Sequence, residues 1–300
     1  MAAHTRHAHL ALLLYALLIS TSFPLASYLG ERYPPLLTTL LRFILAAAGF
    51  VLLMARARQL QWPGWRALGR YALISLPLTG FFLLMFRAGQ SATPLAMGSL
   101  ATLVPLLSCL LGWLCWRVAP TAQRLLALTL GALGAIWVLT AGDLTQLGAD
   151  GWPEGNSEFL LACGLMAGYP LTLKQLHRGE PMLTITGWSL ITGTGWLLLA
   201  AGFDPPPWRW PDGGSLLAIL WLALFTTMLT FYLFQAASLV VGGSSAHAYS
   251  LLMPALVLML EAAIGQRVPH WSLLPGLALT LLALAWLLKM DHQPHSERRI

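Results

Sequence analysis

Ten runs of about twenty mostly apolar residues fill almost the whole chain, and they constrain its fold more than any other feature. A helix rises about 1.5 Å per residue, so about twenty residues cross the roughly 30 Å hydrocarbon core of a bilayer. The sequence therefore predicts an all-α membrane protein with ten transmembrane helices. Numbered 1 to 10 in chain order, these segments span about 9–29, 35–54, 71–88, 94–115, 122–141, 158–176, 182–203, 215–238, 246–264 and 272–289.

The scarcity of charge supports the same conclusion. Only 9% of the 300 residues are charged and 57% are hydrophobic, whereas about 25% of a typical soluble domain is charged. The formal charge of +6 would suggest a nucleic-acid partner in a soluble protein. However, the chain has no basic helix and no interleaving of basic and aromatic residues. We therefore expect membrane lipids and a small-molecule substrate as partners, and no nucleic acid.

The three cysteines, Cys109, Cys115 and Cys163, all fall inside apolar segments and show no CxxC spacing. This pattern favours small buried side chains over a disulfide framework or a zinc site. We expect no metal and no cofactor.

A proline-bearing apolar stretch occurs twice, around Pro105 in segment 4 and Pro254 in segment 9. The same offset aligns Trp137 with Trp286, and a similar one aligns Pro24 with Pro170. Since the order of the matches is preserved, the chain is interpreted as two five-helix repeats, about 1–149 and 150–300. An odd number of helices in each half inverts one half relative to the other. This inverted-repeat architecture is typical of many secondary transporters.

The basic residues of the short loops predict the orientation, because Lys and Arg concentrate on the cytoplasmic side. A cytoplasmic N-terminus places most of them inside, and it places the C-terminus inside as well. The inner set is Arg6, Arg56, Arg58, Arg66, Arg70, Arg117, Arg124, Lys174, Arg178, Lys289, Arg298 and Arg299, and the outer set is Arg32, Arg87, Arg209 and Arg267.

Several short motifs carry a family resemblance. They are Leu41-Arg42-Phe43 in segment 2, Ala92-Thr93-Pro94-Leu95-Ala96 followed by Pro105, and Gly131-Ala132-Leu133-Gly134, with Ala246, Pro254, Gly265 and Gly276 in the second half. At these positions the chain resembles the drug/metabolite transporter superfamily, in particular its ten-helix EamA-type exporters. It departs from the family where Tyr15-Ala16 replaces a Trp-Gly pair, and where Trp116-Arg117 and Gly265-Gln266 replace Gly-Glu pairs.

The resemblance implies a helix bundle with a central cavity lined by segments 3, 4, 8 and 9, with help from segments 1 and 6. It also implies an exporter of amino acids or related small metabolites in the bacterial inner membrane. We expect the substrate to be an amino acid or an amino-acid-derived compound such as a metallophore. A sugar-nucleotide or lipid carrier of the same superfamily is the alternative. The sequence has no HExxH, GxSxG or paired-carboxylate motif, so we do not expect an enzyme. We expect a monomer or a homodimer.

Two charged residues inside the predicted helices are the first candidates for substrate binding, because charge in hydrocarbon is costly. Arg42 lies about 11 Å into segment 2, where it would hold a substrate carboxylate or anchor the helix. Glu261 in segment 9 would bind a substrate amine or exchange a proton. Alternatively, Glu261 would pair with Arg42 or lie near Arg267.

Further candidates are polar or aromatic residues of the other segments, and each has an alternative role in packing. Tyr232, Gln235 and Tyr249 would grip an amino-acid-like ligand, and His247 would sense pH or cap segment 9. The remaining substrate-binding candidates are Phe82, Ser99 and Tyr169.

Four prolines are candidate hinges, because proline removes a backbone hydrogen bond and disturbs the local helix. They are Pro24, Pro105, Pro170 and Pro254. The alternative role is an ordinary kink that improves packing.

Overall fold

A computed structural model describes residues 2–117, 119–147, 152–241, 243–265 and 270–291. Within these residues ten helices are long and apolar enough to cross a membrane, and no strand is present. The ten predicted segments are confirmed, with ends that differ by less than two helical turns. Segments 1 to 10 span Thr5–Gly30, Pro35–Arg56, Trp65–Ala88, Pro94–Cys115, Ala122–Leu139, Glu154–Leu176, Met182–Phe203, Gly213–Ser238, Ala246–Ala263 and Trp271–Met290.

The described residues do not include Gln266, Arg267, Arg298 and Arg299.

Local signals set several helix starts. Pro35 and Pro94 are the first residues of their helices, a position where the missing N–H of proline costs nothing. The carboxylate of Asp212 caps segment 8 by accepting a hydrogen bond from the Ser215 N–H, with 2.8 Å between Oδ1 and N. Thr121 caps segment 5 in the same way. These caps place the helix ends in the short loops.

Segments 4 and 9 are interrupted at corresponding places. Segment 4 consists of the helices Pro94–Ala101 and Val104–Trp116. In segment 9 a 3₁₀ turn, Tyr249–Leu252, precedes the helix Met253–Ala263. In each case the second helix begins one residue before a proline, Pro105 or Pro254, and a proline inside a helix leaves one backbone hydrogen bond unmade. The two copies of the predicted sequence repeat thus have a helix interruption at the same place, next to the proline.

The other two candidate hinges differ from each other. Segment 1 divides at Thr21 into the helices Ala2–Ser20 and Ser22–Gly30, close to Pro24. Segment 6 continues as one α-helix through Pro170. Segment 8 has an irregularity without proline, a π-helical turn at Leu224–Leu229. The hinge role of the four prolines stays a prediction.

The chain divides into two compact units. The first contains the described residues of 1–20, 98–152 and 231–300, and the second contains 21–97 and 153–230. Each unit combines helices from both predicted repeats. The compact units therefore do not coincide with the two predicted repeats, and the position of the repeat boundary near residue 149 stays a prediction.

Segments 5 and 10 pack closely inside the first unit. A Cβ atom added to Gly134 would lie 2.7 Å from the carbonyl oxygen of Gly276, and one added to Gly276 would lie 2.7 Å from the carbonyl oxygen of Gly134. The indole Nε1 of Trp137 donates a hydrogen bond of 2.8 Å to the carbonyl of Ser272. Small residues thus let two backbones approach, as at many membrane helix contacts.

Segments 3 and 6 run antiparallel inside the second unit, and polar contacts join them at both ends. Arg87 pairs with Glu158 at one end, with 2.7 Å between Nη2 and Oε1. At the other end Arg70 donates to the carbonyl of Leu176 and pairs with Glu180 in the following loop, each at 2.7–2.8 Å. These pairs lie at the segment ends, where charge meets water.

Alanine at Gly134 is expected to destabilise the protein, because its Cβ would meet backbone and side-chain atoms of segment 10. Overpacking of this kind typically costs about 1–3 kcal/mol. Thermal unfolding of the detergent-purified Gly134→Ala variant measures the effect. Gly195→Ala is the matched control, since nothing lies within 4 Å of a Cβ at that helical position. Equal unfolding midpoints for the two variants would contradict the close contact.

Glu180 is expected to make folding stability depend on acidity. Burial opposes its ionisation, but hydrogen bonds from its own N–H and the Arg178 N–H, together with the Arg70 guanidinium, outweigh burial and lower its pKa. The stabilisation is therefore complete above the ordinary glutamate pKa of about 4.3. It is lost as pH falls through the lowered pKa of the folded protein.

The Glu180→Gln variant should lose about 1–2 kcal/mol at neutral pH and much less at pH values below that transition. Unfolding midpoints across a pH series measure this difference. Glu154→Gln, at an exposed position of segment 6, is the control with the same charge change. A Glu180→Gln deficit that stays constant down to the lowest pH would refute the ionic contribution.

Candidate functional site

Arg42 is the one basic residue that is fully buried among those the structure describes, with 0% of its surface exposed. It lies in segment 2, about two helical turns after Pro35. Because a buried guanidinium loses its hydration, its partners decide whether the fold can hold it. The threonines and aromatic rings that contact it belong, like Arg42 itself, to the second compact unit.

Two threonines of segment 8 hold the guanidinium. Arg42 Nε donates to Thr227 Oγ1 at 2.9 Å. Nη2 donates to both the carbonyl oxygen and Oγ1 of Thr226, each at 3.2 Å. Both threonines are almost completely buried and belong to the π-helical turn Leu224–Leu229. Turns of this kind are frequent at functional sites.

Aromatic rings of segment 3 cover the cation. The Arg42 Cζ atom lies 4.0 Å from the centre of the Phe82 ring and 5.9 Å from that of Phe86. Phe82 in turn contacts Phe43 edge-to-face, with 5.8 Å between the ring centres. A desolvated cation over aromatic rings gains about 2 kcal/mol, so these rings replace part of the lost hydration.

The site has a positive charge, and no carboxylate forms an ion pair with it among the residues that the structure describes. The ion pairs found among the described residues involve Arg32, Arg70 and Arg87, and none involves Arg42. The Nη1 atom of Arg42 is buried and has no hydrogen-bond partner in the described part of the chain. The arrangement can therefore accept an anionic group, which would supply both the missing charge and the missing hydrogen-bond acceptor.

Among the predicted site residues, the structure brings Phe82 against Arg42. Tyr169 also belongs to the second unit, but it packs on a different cluster that includes Met54, Tyr71 and Trp188. Its position suits a packing role at least as well as a binding role. The predicted substrate contact of Tyr169 stays a prediction.

The other predicted site residues lie in the first unit. Tyr249 is buried, and its hydroxyl makes a 2.7 Å hydrogen bond with Nδ1 of His9 from segment 1. Ser99 is fully buried, and its carbonyl accepts a hydrogen bond from the Thr102 hydroxyl at 2.7 Å. His247 lies against Phe234, with 5.0 Å between the ring centres.

The remaining candidates differ sharply in exposure. Tyr232 is 69% exposed, Gln235 is partly buried and Glu261 is only 4% exposed. The predicted pairing of Tyr232 with Gln235 around a ligand stays a prediction. Arg42 and Glu261 belong to different compact units, and their predicted pairing also stays a prediction.

Sequence reasoning missed Thr226, Thr227 and His9 as contacts of the candidate residues. Two adjacent threonines in an otherwise apolar segment were a usable signal, since hydroxyl groups in hydrocarbon usually find a partner. No sequence signal identified the π-helical turn that brings both hydroxyls to one guanidinium. Among the described residues, no three His, Cys, Asp or Glu side chains come close enough together to hold a metal ion.

Ten apolar helices and a buried polar site define the class of the protein, a multi-pass membrane protein. The model of the EamA-like transporter family matches residues 6–140 and 155–289, one copy for each five-helix repeat. The chain therefore belongs to this family, and the resemblance to the drug/metabolite transporter superfamily is confirmed.

Two further proteins are similar to this chain over most of its length. The Bacillus subtilis (strain 168) protein named "Uncharacterized transporter YyaM" is 20% identical over 280 residues, which cover 92% of each chain. A solved structure described only as "Crystal structure of protein" has a TM-score of 0.68 at 20% identity. That alignment covers 97% of this chain and 99% of the solved one, and it shows likeness of fold.

Proposed function

We propose that the protein exports a small carboxylate-bearing metabolite across the bacterial inner membrane, with Arg42 as the residue that binds the carboxylate. The observation that carries the proposal is a fully buried guanidinium whose Nη1 has no partner among the described residues. Charged residues inside membrane segments mark substrate pathways. The family assignment and the name of the Bacillus subtilis relative support transport.

Alternating access accounts for the burial of Arg42. A substrate reaches a fully buried group only after the surrounding packing opens. The inverted repeats of many transporters provide such an opening, because one part of the fold rocks against the rest around a central site. The closed surroundings of Arg42 are consistent with one state of that cycle.

The proposed substrate class rests on the single buried cation of the site. Arg42 is a single buried cation among the described residues, which suits the single charge of a carboxylate. An amino acid, or a compound derived from one such as a metallophore, carries such a carboxylate. A sugar-nucleotide or phospholipid carrier is the second candidate, but phosphate groups favour several Arg or Lys partners. No observation specifically favours an enzyme.

The proposed orientation has both termini in the cytoplasm, as the distribution of loop Lys and Arg predicts. Arg70 and Arg178 then belong to the cytoplasmic side, and Arg87 belongs to the outer side. We propose a monomer or a homodimer as the functional form.

Arg42→Met is expected to abolish export while leaving the protein folded. Methionine removes a buried charge that costs several kcal/mol, so the free energy of unfolding should stay unchanged or rise by up to about 4 kcal/mol. The threonine hydroxyls keep their own acceptor, the carbonyl of Leu222. Untargeted profiling of metabolites released by cells that lack or overproduce the protein measures export, and thermal unfolding measures stability.

Arg32→Met is the matched control, since Arg32 is an exposed loop residue with the same charge. This variant should export normally. Unchanged release of every metabolite on overproduction would refute the export function. Export that survives Arg42→Met would remove the arginine from the site, and a folding defect would make it a structural anchor.

Proton exchange is one of the two roles that the sequence predicts for Glu261, so Glu261→Gln is expected to uncouple transport from the proton gradient. A carboxyl group can bind and release one proton, whereas the amide of glutamine cannot. Counterflow of the exported metabolite in proteoliposomes should continue, whereas accumulation driven by an imposed pH gradient should be lost. Gradient-driven accumulation equal to that of the native protein would remove Glu261 from the coupling mechanism.

A further inference from the structure

The hydrogen bonds of Arg42 leave one defined part of its guanidinium for a ligand. The group has five N–H donors. The single N–H of Nε goes to Thr227, and the two acceptors on Thr226 occupy Nη2. The two remaining donors both belong to Nη1, which has no partner among the described residues.

The donor and acceptor roles of the two threonine hydroxyls are fixed by their other hydrogen bonds. Thr226 Oγ1 and Thr227 Oγ1 each donate to the carbonyl oxygen of Leu222, both at 2.9 Å. A hydroxyl has one proton, so each threonine can only accept from Arg42. These oxygens therefore orient the guanidinium and cannot donate to an anionic ligand themselves.

The π-helical turn makes this arrangement possible. In a regular α-helix, neighbouring side chains project about 100° apart, so two adjacent residues do not normally reach one target. Here Thr226 reaches back four residues and Thr227 reaches back five residues to the same carbonyl. The extra residue in the turn Leu224–Leu229 brings both hydroxyls to one guanidinium.

We propose that Thr226 and Thr227 are positioning residues that aim Nη1 of Arg42 at the carboxylate of the substrate. This inference rests on the proposed function and names how its site selects a ligand. The threonines hold one edge of the guanidinium, and the ring of Phe82 covers one face. The two donors of Nη1 are then the part of the guanidinium that remains for a ligand.

This geometry predicts an end-on contact. A carboxylate usually binds arginine through two nitrogens as a fork, but two of the three nitrogens already have threonine partners. The substrate carboxylate therefore binds through Nη1 alone. Its affinity depends on the orientation of that nitrogen, which the threonine hydroxyls maintain.

The test uses acetate as the carboxylate probe and acetamide as its neutral analogue, with ionic strength held constant by chloride. The detergent-purified protein is unfolded thermally over a series of acetate concentrations. Acetate should raise the unfolding midpoint of the native protein, and acetamide should not. Thr227→Val and Thr226→Val should need at least tenfold more acetate for the same shift, because valine keeps the shape and removes the acceptor.

Two controls separate positioning from general stability. Thr227→Ser retains the hydroxyl and should restore the acetate response. Thr230→Val changes a buried threonine of the same segment whose hydroxyl bonds to the carbonyl of Thr227 rather than to Arg42. This variant should respond to acetate like the native protein, within twofold.

The proposal is overturned if acetate does not stabilise the native protein, or if the shift persists in Arg42→Met. It is also overturned if Thr227→Val and Thr230→Val respond alike. A threonine-dependent acetate response without any exported carboxylate metabolite would refute the proposed export function and leave the positioning role intact.

Discussion

In hydrocarbon every backbone N–H and C=O group needs a partner inside the protein, and the rest of this structure depends on that constraint. Regular helices satisfy it along most of the ten segments. Where the helical ladder is irregular, threonine hydroxyls bond to nearby carbonyls. Thr102 donates to the carbonyl of Ser99 beside the interruption of segment 4, and two threonines donate to Leu222 in the π-helical turn. The hydroxyls of these three threonines therefore donate hydrogen bonds to backbone carbonyls of their own segments.

The same hydroxyls explain how the fold holds a buried charge. Arg70 and Arg87 lie near segment ends and pair with carboxylates, whereas Arg42 is deep in the second unit and its partners are neutral oxygens and aromatic rings. Neutral partners orient a cation without neutralising it. A cation held in this way still attracts an anion. In the irregular turn of segment 8, the same two hydroxyls donate to a backbone carbonyl and accept hydrogen bonds from Arg42.

Much of the fold could be predicted, because hydropathy and proline spacing are local properties of the chain. Apolar runs predicted the ten segments. The matching positions of Pro105 and Pro254 predicted a repeat, and the helices of segments 4 and 9 are both interrupted next to these prolines. Less of the site could be predicted. Arg42 and Phe82 were identified as separate candidates, and their contact was not foreseen. The ligand contact of Tyr249 stays a prediction, and the hydrogen bond between its hydroxyl and His9 was not foreseen.

The sequence by itself determined the membrane class, the number of helices, the family and the presence of a charge inside segment 2. These follow from composition and from patterns within about twenty residues, which the bilayer thickness imposes. Only the tertiary structure decided which groups surround that charge. Thr226 and Thr227 lie more than 180 residues from Arg42 along the chain, and a one-residue irregularity in segment 8 brings both to the guanidinium. The packing of segment 8 against segment 2 sets the position of these threonines relative to Arg42, and a local pattern of residues does not predict it.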